Sequence, residues 1–229
     1  CIFEYIYFSR PDSNIYGHNV HLTRKRQGIE LAKESPCKAD LVIAIPDSGS
    51  SAAIGYSEQS GIPIDMGMVR NHYIGRTFIQ PAQHIRDLSV RVKLNPIKDV
   101  VKGKKIVVLE DSIVRGTTSK ARIRTLREAG AKEIHMRVSC PAHISPCYYG
   151  IDFPTKEELI GSSHTVEEIR AFIGLDSLAY LSLEGLCKSM PLPKNKFCTS
   201  CFTGKYPVLP EHGIGKFNLE NQLSFLNKI

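Results

Sequence analysis

The sequence predicts an α/β protein, a doubly wound and mostly parallel sheet with flanking helices. Three observations predict it. Short apolar runs suited to buried parallel strands recur at Leu41 to Ile45, Ile62 to Met66, Ile106 to Leu109 and Ile134 to Val138. Helical patterns alternate with these runs, as a sheet covered on both faces requires. Two of the strands, those ending at Ile45 and Leu109, lead into hydroxyl-rich turns, and ligands of such sheets bind outside the carboxyl ends of the strands.

Taken in order, Cys1 to Phe8 reads as a strand already in progress. Val20 to Glu34 reads as a helix with a basic first half, Arg24, Lys25 and Arg26, and Pro36 as its breaker. The strand from Leu41 runs into Pro46-Asp47-Ser48-Gly49-Ser50-Ser51, and the next helix starts near Ala52. Gly61, Gly103 and Gly130 punctuate the following units, with Ser119 to Ala129 a helix that Gly130 closes. Beyond Cys147 the pattern turns helical. Thr155 and Thr165 are each followed three positions later by a glutamate, Glu158 and Glu168, which is the sequence form of a capping box. A last strand is expected from Leu178 to Leu183, a loop from Ser189 to Lys196, and a closing helix from Lys216 to Ile229. No internal repeat or low-complexity tract is evident.

A chain of 229 residues with 42% hydrophobic content can bury the core of one large domain. No apolar run reaches the roughly 18 to 20 residues of a membrane span, and no basic-then-apolar leader precedes the first apolar segment, so the expectation is a cytoplasmic protein without a membrane partner. The net charge of +7 would by itself admit nucleic acid. Its distribution argues against that partner: Arg70, Arg76, Arg86, Arg91 and Lys93 face a single acid, Asp87, in a weakly periodic stretch with Gly75 and Pro81. That stretch reads as a long basic loop, and a loop of this length is more often functional than decorative.

Val107 to Ser119 carries the chemistry. A buried-strand pattern ends in Glu110 and Asp111, and a turn with Arg115 and Gly116 opens a helix through Thr117, Thr118 and Ser119. Backbone N–H groups at that helix start, the helix dipole and the hydroxyls of Ser112, Thr117 and Thr118 form a cradle for phosphate, and Gly116 permits close backbone approach. The two carboxylates would repel phosphate, but they can accept hydrogen bonds from ribose hydroxyls or hold hydrated Mg²⁺. An ordinary helix cap explains one hydroxyl and leaves the paired acids unexplained. Among the seven cysteines, Cys198 and Cys201 form a Cys-x-x-Cys knuckle, open to zinc, redox or iron–sulfur use, with a four-thiolate zinc site the default.

Val107 to Ser119 closely resembles the phosphoribosyl-pyrophosphate (PRPP) signature of the type I phosphoribosyltransferases, and Asp111 to Ser119 resembles that of the glutamine PRPP amidotransferases in particular. Glu110 stands where that family usually has the first of two aspartates. The resemblance runs from Cys1 to about Pro207. It implies the type I phosphoribosyltransferase fold, with residues 1–150 as the core including an N-terminal strand, and residues 151–229 as a helical, cysteine-rich extension. The glutaminase domain would lie outside this chain, and Cys1, leading into Ile2-Phe3-Glu4-Tyr5, would not be its nucleophile.

The resemblance also implies residues. Asp47, Ser48 and Gly49 match the pyrophosphate loop, and Glu110, Asp111, Ser112, Arg115, Gly116, Thr117, Thr118 and Ser119 the sugar-phosphate loop, with Mg²⁺ at Ser48, Glu110 and Asp111. The basic stretch from Arg70 to Lys93, with His72 to Pro81 in it, matches the flexible loop that closes over PRPP, which makes Arg76 and Lys93 the candidate catalytic cations. Cys1, Cys147, Cys198 and Cys201 match the contexts of the four ligands of a structural, oxygen-sensitive 4Fe-4S cluster, whereas Cys37, Cys140 and Cys187 sit in ordinary contexts. The implied reaction is displacement of pyrophosphate from PRPP by ammonia, drawn from glutamine in the intact enzyme. It yields 5-phosphoribosylamine in the first committed step of purine synthesis, with purine nucleotides as feedback inhibitors and a homo-oligomeric assembly. Two other readings share the signature. A base-using phosphoribosyltransferase would leave the cysteine contexts unexplained, and a PRPP-sensing regulator would call for a DNA-binding module, which the sequence does not display.

Overall fold

The computed structural model describes residues 1–71, 94–153 and 155–208. Arg76, Lys93 and most of the basic loop lie outside the described residues, as does the helix expected from Lys216 to Ile229.

A short hairpin, β1 (Asn14–Ile15) and β2 (His18–Asn19), leads directly into α1 (Val20–Glu34). Asn19 starts that helix by accepting the Leu22 N–H at 3.0 Å. β3 (Leu41–Ala44) is followed by α2 (Ser50–Ser60), which Gly61 closes in the left-handed region at φ 74°. β4 (Met68–Arg70) and β5 (Leu94–Pro96) pair antiparallel on either side of the basic stretch. Then come α3 (Lys98–Val101), β6 (Lys105–Glu110), α4 (Thr117–Glu128) and β7 (Glu133–Val138). Beyond residue 150 lie α5 (Ile160–Ser163), α6 (Val166–Ile173), β8 (Ser177–Tyr180), α7 (Leu183–Ser189) and α8 (Ser200–Thr203).

The central sheet has the order β3-β6-β7-β8 and every pairing in it is parallel, with Leu41 opposite Ile106, Ile106 opposite Ile134 and Met136 opposite Leu178. Ile106, Val107, Val108 and Leu109 have no exposed surface because both faces of β6 are covered, which is why the run is apolar without alternation. On one face α1 and α2 meet at backbone distance. A Cβ on Gly28 would stand 1.9 Å from the Ala52 carbonyl oxygen, and one on Gly55 would stand 1.9 Å from that of Lys25. Those glycines let α2 settle against α1, and its N-terminus is thereby placed at the edge where β3 and β6 end.

Four sequence expectations need correction. The first residues are not a strand: Glu4–Phe8 forms a π-helical turn with Tyr5 and Ile6 buried. The Arg24 guanidinium of α1 holds that turn by donating to the carbonyls of Tyr5 and Ser9 at 2.9 and 2.8 Å, a side-chain substitute for a neighbouring strand. Ile62 to Met66 is reduced to an isolated parallel bridge between Ile64 and Val42, since Pro63 supplies a carbonyl to the ladder but has no N–H to donate. The last strand stops at Tyr180, because Ser182 caps α7 by accepting the Gly185 N–H at 2.9 Å. The expected loop from Ser189 to Lys196 begins on the end of α7 and contains a 3₁₀ turn at Lys194–Lys196. Both capping boxes are present, at Thr155 with Glu158 and at Thr165 with Glu168.

Candidate functional site

Two strand ends build the site. After β3 the backbone continues the ladder, with the Ile45 N–H on the Leu109 carbonyl at 2.9 Å, and then turns through a cis Pro46–Asp47 peptide into α2. Gly49 stands behind the cleft where the loop presses on β6: an added Cβ would lie 2.5 Å from the Leu109 carbonyl oxygen. β6 ends at Glu110, and the chain then passes Asp111 and Ser112 and enters α4 through Gly116, whose φ of 77° lies in the left-handed region. Gly116 offers no capping side chain, so the first turn of α4 presents Thr117 and Thr118 exposed and Ser119 buried at an uncapped N-terminus. This is the arrangement that favours an anion.

One cleft of about 980 Å³ collects both loops. Asp47 and Ser48 line it from the first loop, and Glu110, Asp111 and Ser112 from the second. Arg115, Gly116, Thr117, Thr118 and Ser119 complete its floor. Ser48 Oγ donates to Asp111 Oδ2, and Ser112 Oγ donates to Oδ1 of the same carboxylate at 2.5 Å. Asp47 accepts from Arg70 Nη1 at 2.8 Å, which ties the pyrophosphate-loop candidate to the end of β4. The Arg115 side chain turns outward to Glu158, 2.9 Å away, although the residue borders the cleft.

Sequence reasoning missed several lining residues. Tyr7 and Phe8 from the N-terminal turn, about half exposed, form one wall. Arg24 lies at the back, 2% exposed, and burial lowers its pKa while Asp111 opposes that shift. Arg122 of α4 donates from Nη1 to Glu110 Oε2 at 2.6 Å. Burial pushes the Glu110 carboxyl up to about 8; Arg122 pulls it down and the neighbouring Asp111 adds to the rise. The basic first half of α1 was a visible signal for Arg24. For Arg122 the only local signal was its place one helical turn beyond Ser119.

Oxygen donors suit Mg²⁺, and the Ser48 hydroxyl with the Asp111 carboxylate supplies them at the cleft; Glu110 is already engaged with Arg122. All seven cysteines are free thiols. Backbone contacts bring the four candidate ligands into one region: the Ile2 N–H bonds the Cys198 carbonyl at 3.4 Å, and Ile144 and Ser145 N–H bond the Cys201 carbonyl at 3.0 and 3.2 Å, near Cys147. The Cys201 thiol is pushed up to about 12, first by burial and then by the electrostatic influence of Cys147 and Cys198. Cys147, Cys198 and Cys201 thus lie near one another, and thiols match iron–sulfur or zinc in kind. Among the described residues, however, no three His, Cys, Asp or Glu side chains stand in an arrangement that could hold a metal ion.

The parallel sheet, with the two loops at its carboxyl edge, has the type I phosphoribosyltransferase fold. No family model matches the chain. Over most of its length it is homologous to amidophosphoribosyltransferases. The chloroplastic amidophosphoribosyltransferase of Glycine max is 50% identical over 98% of this chain and 40% of its own length. The amidophosphoribosyltransferase of Methanocaldococcus jannaschii is 56% identical over 91% of this chain and 44% of its own. Among solved structures, the glutamine PRPP amidotransferase of B. subtilis, complexed with ADP and GMP, superposes with a TM-score of 0.86 at 53% identity, covering 94% of this chain and 48% of that one. The chain thus spans less than half the length of these relatives. Among the described residues no helix is long and apolar enough to cross a membrane.

Proposed function

We propose that this chain is the phosphoribosyl-transfer part of an amidophosphoribosyltransferase, binding PRPP and Mg²⁺ and passing the phosphoribosyl group to ammonia. The observation that carries this reading is the single cleft in which Ser48 of one loop bonds Asp111 of the other, beside the uncapped start of α4. In the reaction, the bond from the anomeric carbon to pyrophosphate breaks, the ammonia nitrogen bonds that carbon from the opposite face, and a proton leaves the nitrogen. No covalent enzyme nucleophile is needed, so the protein's part is positioning and electrostatics.

Thr117, Thr118, Ser119 and the backbone of α4 would seat the 5′-phosphate, Glu110 and Asp111 the ribose hydroxyls, and Asp47, Ser48 and Gly49 the pyrophosphate end. Mg²⁺ held by Ser48 and Asp111, with Glu110 in the set expected from the family, would neutralise the departing pyrophosphate. Arg76 and Lys93 would supply cations from the basic stretch between β4 and β5. Residues 1–150 would form the catalytic core and residues 151–229 the extension that adds β8 to the sheet edge. Cys1, Cys147, Cys198 and Cys201 would hold a 4Fe-4S cluster that clamps the start of the chain to the extension, a folding role more than an electron-transfer one. Purine nucleotides as inhibitors, a cytoplasmic setting and a homo-oligomeric assembly complete the reading; the complex of the B. subtilis relative with ADP and GMP supports the first of these.

The test is direct. Purified without oxygen and given PRPP with Mg²⁺, the chain should form phosphoribosylamine from free ammonia and not from glutamine. Glutamine-dependent product from this chain alone would overturn the division of labour, and failure to bind PRPP would overturn the reading itself.

A further inference from the structure

The pair formed by Glu110 and Arg122 is a feature of this cleft that the phosphate cradle does not explain. Glu110 ends β6 and its side chain is 4% exposed, while that of Arg122 is 24% exposed, and both border the cleft. Helical side chains lean toward the N-terminus of their helix, so Arg122, three residues past Ser119, lies over the turn that carries Thr118 and Ser119. From there its Nη1 reaches Glu110 Oε2 at 2.6 Å, across the connection between strand and helix. The guanidinium thus stands between a buried carboxyl group and the helix start that would receive a phosphate.

Two consequences follow from that position. A buried carboxyl group whose guanidinium partner is removed loses its hydrogen bond at Oε2, and any negative charge it takes on beside a bound phosphate is then uncompensated. A single contact to Oε2 also fixes the rotation of the carboxyl group, which determines where Oε1 faces. We propose that Arg122 is a positioning residue of the sugar-phosphate site: it orients Glu110 toward the ribose hydroxyls and shields the phosphate on α4 from that carboxyl group. This rests on the phosphoribosyl reading of the cleft. It predicts that ribose discrimination, and not phosphate affinity alone, depends on Arg122.

The experiment uses ribose 5-phosphate and 2-deoxyribose 5-phosphate, whose binding needs no Mg²⁺, measured by calorimetry on the purified protein and its variants. The native protein should prefer the ribose form. Arg122→Leu should weaken ribose 5-phosphate about tenfold and erase the preference, and Glu110→Gln should erase it as well. In the double variant the loss should fall short of the product of the single losses by at least about fivefold, as directly interacting residues require. Arg122→Lys, which keeps the charge and is the variant to rely on if Arg122→Leu does not fold, should hold affinity within about threefold and lose most of the preference, because an ammonium group lacks the guanidinium's fixed geometry. Retained preference in either Arg122 variant, or multiplicative losses in the double variant, would overturn the proposal and leave the phosphoribosyl reading standing. A native protein that binds neither sugar phosphate nor PRPP would overturn both.

Discussion

Ser48 and Asp111, 63 positions apart, are joined by a hydrogen bond from the serine hydroxyl to the aspartate carboxylate. The loop that follows β3 and the loop that follows β6 therefore act as one unit at the carboxyl edge of the sheet. The same carboxylate accepts from Ser112, so its two oxygens are both oriented before any ligand arrives. Preorganisation of this kind lets a charged group act on a transition state without first reorganising its surroundings.

Asp111→Asn tests that unit. The substitution removes one negative charge and hardly alters shape, so folding should be retained. Phosphoribosyl transfer to ammonia should fall by about two orders of magnitude, or about 3 kcal/mol of transition-state stabilisation. Initial rates at saturating Mg²⁺ check it, and near-native turnover would remove Asp111 from the chemistry.

Gly49→Ala and Gly28→Ala separate site from scaffold. Each adds one methyl group against a carbonyl oxygen, that of Leu109 at 2.5 Å or that of Ala52 at 1.9 Å. Both should lower stability in urea titrations by about 1 to 3 kcal/mol, the usual cost of overpacking. Only Gly49→Ala should also weaken PRPP binding in the folded protein, since it moves the loop that carries Asp47 and Ser48.

His143 sets a pH dependence. It is 1% exposed, enclosed by Phe3, Phe153 and Phe202, and neither ring nitrogen has a hydrogen-bond partner among the described residues. Burial lowers its pKa from 6.5 to about 3. The unfolded chain therefore takes up a proton between those values that the folded chain refuses. Its contribution to stability is complete above pH 6.5 and is lost as pH falls toward about 3, at about 1.4 kcal/mol per pH unit. His143→Phe should flatten this part of the profile and be neutral or stabilising at pH 7, because it removes two unpartnered buried polar atoms. Denaturant midpoints for the two proteins from pH 4 to 7 measure the difference. A constant offset across that range would contradict the assignment.

The cysteines separate iron–sulfur from zinc. Protein purified without oxygen should be brown, contain about four iron and four acid-labile sulfide per chain, and bleach and unfold in air. Cys201→Ser should give colourless, poorly folded protein, whereas Cys37→Ser should keep its colour. A colourless, air-stable native protein with one zinc would replace the cluster and leave the cleft untouched.

The sequence by itself determined the elements whose causes are local. The bounds of α1, the apolar core of β6, the capping boxes at Thr155 and Thr165 and the hydroxyl-rich start of α4 each depend on residues within a turn or two of one another, so periodicity and capping chemistry suffice to read them. The tertiary structure alone decided what depends on distant partners. Cys1 to Phe8 has a strand's composition, yet Arg24 of α1 draws its carbonyls into a π-helical turn, and Tyr7 and Phe8 become a wall of the cleft. Ile62 to Met66 has a strand's hydrophobicity, yet only Ile64 bridges to β3. The contacts of Ser48 with Asp111, Arg70 with Asp47 and Arg122 with Glu110 likewise join side chains 63, 23 and 12 positions apart. Sequence pattern records what a residue prefers within its own strand or helix, and only packing decides which other element it faces.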